Sequence, residues 1–84
     1  MVYTDASGDR ELRTYLTVWF NSEGEPPVKV VERILAMGFK PIKGHYDHVY
    51  DWRKEPSLEE VLELANRLHE TLKGMRVIYK LETI

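Results

Sequence analysis

The 84-residue chain predicts an α+β domain in which a four-stranded antiparallel sheet carries two helices on one face. Three observations lead there. Apolar residues recur at helical spacing in two separate stretches, around Val30–Leu35 and Leu58–Leu72. Period-two alternation of β-branched and aromatic residues marks Leu12–Phe20 and Met75–Thr83. Between the helical stretches, Phe39–Trp52 is broken by Pro41 and Gly44 and suits two short strands with a tight connection.

Met1–Thr4 reads as an extra N-terminal strand, followed by turn chemistry at Asp5-Ala6-Ser7-Gly8-Asp9. Leu12–Phe20 is the clearest strand, with Leu16, Val18 and Phe20 on one face and Tyr15, Thr17 and Trp19 on the other. Asn21–Glu25 breaks it, and Pro26-Pro27 suits a helix start, where a missing N–H costs nothing. The first helix runs to about Met37 on a stripe of Val30, Val31, Ile34 and Leu35, and Gly38 stops it. Phe39–Lys43 and His48–Trp52 are the next two strands, joined through Gly44–Asp47, and Arg53–Pro56 is a polar loop.

Ser57-Leu58-Glu59-Glu60 has the form of a capping box, in which serine and glutamate side chains satisfy each other's amides. The helix it opens places Leu58, Val61, Leu62, Ala65, Leu68 and Leu72 at helical spacing, with Leu62 and Leu68 expected in the core and Gly74 as the stop. In the last strand Val77, Tyr79 and Leu81 alternate against Arg76, Ile78 and Lys80. Strand, helix, strand, strand, helix, strand is the order of the ferredoxin-like split β-α-β arrangement, expected here as one domain over residues 1–84.

Composition narrows the function classes. Without cysteine there is neither a disulfide framework nor a thiolate metal site, which suits a reducing compartment. No apolar run approaches a membrane span, and the N-terminus lacks a signal-peptide profile, so the expectation is a cytoplasmic protein. A net charge of −2 argues against an electrostatic grip on nucleic acid. Glutamine is absent and asparagine occurs only at Asn21 and Asn66, while Glu, Lys and Arg are abundant, a heat-adapted bias.

The segment Lys43-Gly44-His45-Tyr46-Asp47-His48-Val49-Tyr50-Asp51-Trp52 concentrates imidazoles, carboxylates and aromatic rings. In a tight turn His45, Asp47 and His48 converge on a divalent ion such as zinc, nickel or copper, a set that extends to Asp51 in a metal-assisted hydrolase or nuclease. The same imidazoles and carboxylates suit acid–base chemistry. On the third strand His48, Tyr50 and Trp52 share one face, and Val49 and Asp51 the other; burying Asp51 beneath two helices is costly without a partner. The expectation is that Tyr50 and Trp52 join Tyr15 and Trp19 as binding residues, with His45 beside them, on a sheet face left open by the helices.

Through its opening Lys43-Gly44 and closing Tyr50, the segment resembles the third-strand signature of RNA-recognition domains, which implies base stacking on the sheet aromatics. His45 and Asp47 stand where that signature has aromatics. In length and element order the chain is also similar to small CRISPR-associated ferredoxin-like nucleases and the virulence-associated toxin family. Those carry an aspartate at the end of the first strand, where this chain has Asn21 after Trp19-Phe20. The expected function is therefore a binding or regulatory module without catalysis or resident cofactor. A second copy, an unidentified ligand or another protein covers its open face, and a homodimer is the leading arrangement.

Overall fold

The computed structural model describes residues 11–44 and 46–84. The strand expected over Met1–Thr4, the turn at Asp5–Asp9 and His45 lie outside the described residues. The elements are β1 (Arg13–Trp19), α1 (Pro27–Ala36), β2 (Lys40–Pro41), β3 (His48–Asp51), α2 (Leu58–Leu72) and β4 (Ile78–Thr83). The strands form one sheet in the order β2-β3-β1-β4, with every neighbouring pair antiparallel. Among the described residues no helix is long and apolar enough to cross a membrane.

Alternation along β1 buries Thr14, Leu16 and Val18 beneath the helices and turns Arg13, Tyr15, Thr17 and Trp19 outward. Val30 and Ile34 of α1 and Leu64, Leu68 and Leu72 of α2 join Leu16 and Val18 in a single core cluster, which places both helices on one side of the sheet. Pro27 starts α1, and Gly38 turns the chain at φ +106° after it. A Cβ at Gly38 would sit 3.1 Å from the Tyr50 ring, so the position needs both glycine's conformational freedom and its missing side chain. Gly24 is constrained by space alone: a Cβ there would lie 2.5 Å from the Met75 carbonyl, which already accepts the Glu25 N–H at 3.1 Å.

The capping box of α2 is complete. Ser57 Oγ accepts the Glu60 N–H at 3.1 Å, and Glu60 Oε1 accepts the Ser57 N–H at 2.8 Å. Lys54 Nζ donates to the other Glu60 oxygen at 2.6 Å. That ammonium, followed by the Ser57 amide, holds the Glu60 carboxyl below its ordinary pKa.

Three expectations need correction. Leu62 is not a core residue but 53% exposed, and Leu64 takes its place. At about 100° per residue Leu62 lies roughly 120° around the helix from Leu68, whereas Leu64 and Leu72 flank Leu68 within about 40°. Phe20 falls beyond the end of β1 and is exposed instead of continuing the Leu16–Val18 face. The second strand shrinks to Lys40–Pro41, since Pro41 has no N–H for a ladder and Phe39 is drawn into the core.

Truncating Leu68 to Ala is expected to cost about 2–5 kcal/mol. Leu62→Ala should stay within about 0.5 kcal/mol. Urea denaturation of both variants measures the contrast, and equal losses would place Leu62 in the core after all.

Candidate functional site

The register transfers the alternation of β1 to its neighbours. On the open face Val49 and Asp51 of β3 stand opposite Tyr15 and Arg13, and Glu82, Lys80 and Ile78 of β4 stand opposite Tyr15, Thr17 and Trp19. Lys40 of β2 is opposite Val49. Arg13 Nε lies 3.5 Å from Asp51 Oδ2, so the carboxylate that was costly to bury is instead paired across strands in partial solvent.

Tyr46, just before β3, completes this face. Its ring centroid is 4.7 Å from that of Tyr15, and its hydroxyl donates to Glu82 Oε1 at 2.7 Å. That hydrogen bond, then partial desolvation and the Glu82 charge, raises the phenol above its ordinary pKa and keeps it a donor. At the far end Trp19 is 51% exposed and its register partner Ile78 is 70% exposed. The face is thus apolar at two places, Tyr15–Tyr46 and Trp19–Ile78, with Arg13, Lys40, Lys80, Asp51 and Glu82 among them.

Tyr50 and Trp52 do not belong to it. Tyr50 is opposite Thr14, on the helix side, where its ring meets Phe39 at 5.5 Å and Trp52 edge-on at 4.8 Å. Trp52 Nε1 donates to Thr14 Oγ1 at 2.8 Å, and the same oxygen is 2.7 Å from Thr83 Oγ1. The expected four-ring face therefore fails for two of its rings. Outward placement of Asp51 and the buried hydroxyl available to the indole decide the matter. Tyr46 was missed as a face residue because it precedes the strand, where alternation carries no information.

The histidine segment likewise divides. His48 is 6% exposed, opposite Leu16 and Pro41 on the helix side, and its buried Nδ1 has no hydrogen-bond partner among the described residues. Burial pushes its pKa below the ordinary value, and the nearby Asp47 charge opposes this in part. Asp47 is committed to β1: its N–H donates to the Leu16 carbonyl at 2.9 Å, and its Oδ2 accepts the Val18 N–H at 2.8 Å. The side chain thereby takes over a ladder position just before β3 begins. Asp51 accepts the Arg53 N–H at 3.0 Å on the other face from His48. Among the described residues no group of three His, Asp or Glu side chains is placed to hold a metal. His45, the remaining member of the expected metal set, lies outside them.

In comparisons with known proteins, no family model, no curated protein and no solved structure matches the chain.

The His48 environment predicts an acid-sensitive fold. Its folded pKa lies below the unfolded value of 6.5, so the unfolded chain takes the proton first and stability is lost as pH falls below about 6.5. Glu60, with its depressed carboxyl pKa, contributes acid loss only below about 4.5, outside that window. His48→Leu should flatten the dependence between pH 7.5 and 5.5 in urea titrations. Parallel curves for the variant and the wild type would clear His48 of the effect.

Proposed function

We propose that the chain is a small binding module of the ferredoxin-like class, without catalysis of its own, whose open sheet face contacts a second copy. The element order and the strand order β2-β3-β1-β4 support the fold reading. The lack of cysteine supports a cytoplasmic setting. The observation that carries the functional reading is the pair Trp19 and Ile78, large, adjacent in register and mostly in solvent on a face that no element among the described residues covers.

A tryptophan offers about 150–250 Å² of surface. Burying the exposed half of Trp19 contributes roughly 2–3 kcal/mol at about 25 cal/mol per Å². A two-fold contact uses each such group twice, which brings the sum within reach of the association cost once Ile78 and Tyr15 are added. The interspersed charges of both signs suit another protein surface with the same mixture. A phosphate backbone would require a large basic excess, whereas on this face Asp51 and Glu82 offset all but one of the three cations Arg13, Lys40 and Lys80. An inward His48 and an occupied Asp47 weigh against the metal-assisted reading.

Trp19→Glu should abolish the face contact and lower the particle mass in sedimentation at high micromolar concentration, with circular dichroism retained. An unchanged mass, or a wild type that is already monomeric under those conditions, sinks this reading.

A further inference from the structure

The two edges of the sheet differ. β2 is a two-residue strand containing Pro41, a blunt edge that cannot template pairing. β4 runs uninterrupted from Ile78 to Thr83 at the other edge, and among the described residues no strand lies beyond it. Arg13 and Ile84 exchange both main-chain hydrogen bonds at 3.0 Å. Doubly bonded pairs recur at every second residue of an antiparallel ladder. Ile78, Lys80 and Glu82 therefore bond inward to β1, while the N–H and C=O groups of Tyr79, Leu81 and Thr83 point away from β1, where no described strand meets them.

We infer that this edge pairs antiparallel with β4 of a second copy about a two-fold axis at Leu81, making one continuous sheet from two chains. In this register Tyr79 meets Thr83 of the second copy, Leu81 meets its equivalent, and every outward group of Tyr79, Leu81 and Thr83 finds a partner. On the open face Lys80 lies opposite the second copy's Glu82 and Glu82 opposite its Lys80. Ile78 lies opposite Ile84, and these are exposed by 70% and 60% in the single chain. Opposite charges directly across an antiparallel pair stabilise it, and like charges destabilise it.

Slipping by two residues is the smallest shift that keeps the outward groups matched. It sets Lys80 against Lys80 in one direction and Glu82 against Glu82 in the other. A lone lysine on an edge strand guards against pairing. With Glu82 two residues along, the guard becomes selective: it rejects the slipped registers and admits one. The contact is independent of the face reading, because edge pairing leaves the Trp19 end of the open face uncovered.

The test uses the Trp19→Glu chain, in which face stacking is disabled, so that failure of the two readings can be told apart. Residue-resolved amide exchange should show Tyr79, Leu81 and Thr83 becoming protected as concentration rises. Adding Lys80→Glu or Glu82→Lys singly should weaken self-association about tenfold or more. An equimolar mixture of the two single-charge variants should pair again, as should the chain carrying both changes. Edge amides that exchange freely at every concentration overturn the inference. So does protection that persists undiminished in the monomer, which would put another part of the same chain on the edge. Single-charge variants that associate as tightly as their parent would overturn the register.

Discussion

Thr14, Leu16 and Val18 are buried along the central strand, and the remaining organisation of the sheet follows from that burial. β1 pairs with β3 on one side and β4 on the other, so its alternation is copied across the sheet. A slip of one residue in either ladder would exchange the core face for the open face. The polar member of this row strengthens the constraint. Thr14 is 1% exposed, yet its hydroxyl joins the Trp52 indole to Thr83 and so ties β1 to the chain just past β3 and to β4. A buried hydroxyl is costly unless it is satisfied. Here satisfying it also locks the register.

β3 is where opposing physical demands meet. Only four residues long, it has either His48 and Tyr50 or Val49 and Asp51 to place beneath the helices. The first choice costs a desolvated imidazole whose Nδ1 has no partner among the described residues. The second would bury a carboxylate away from Arg13. A histidine can enter an apolar site as the neutral ring, whereas an unpaired carboxylate at neutral pH cannot enter without a much larger penalty. The aromatic rings of Tyr50 and Trp52 then complete the core around Phe39, and Gly38 leaves room for the Tyr50 ring.

This choice redistributes the residues from which a site could be built. A segment dense in His, Asp and Tyr is divided between two sides of a sheet, and Asp47 is consumed by the Val18 amide. What remains outward is a mixed surface: paired tyrosines, an exposed Trp19–Ile78 contact and charges of both signs. Its asymmetry continues to the sheet edges, where β2 is a two-residue strand containing Pro41 and β4 runs unbroken from Ile78 to Thr83.

Much of the local chemistry was readable from the chain. The capping box at Ser57–Glu60, the proline start of α1, the glycine after it and the alternation of β1 and β4 depend on neighbours within a few residues and appear as the spacing predicts, although β1 ends at Trp19 and β4 begins only at Ile78, three residues after the expected Met75. Tertiary structure alone decided three matters. Leu64 rather than Leu62 faces the sheet because two apolar ridges on α2 compete and only the docking angle selects one. Tyr50 and Trp52 face inward because Arg13 and Thr14, distant in sequence, supply the partners that make that orientation cheaper. Tyr46 joins the open face through Tyr15 and Glu82, contacts made across strands that no periodicity encodes. Local propensity decides what each segment becomes, whereas the face a short segment presents depends on desolvation and pairing energies that exist only after distant strands have met.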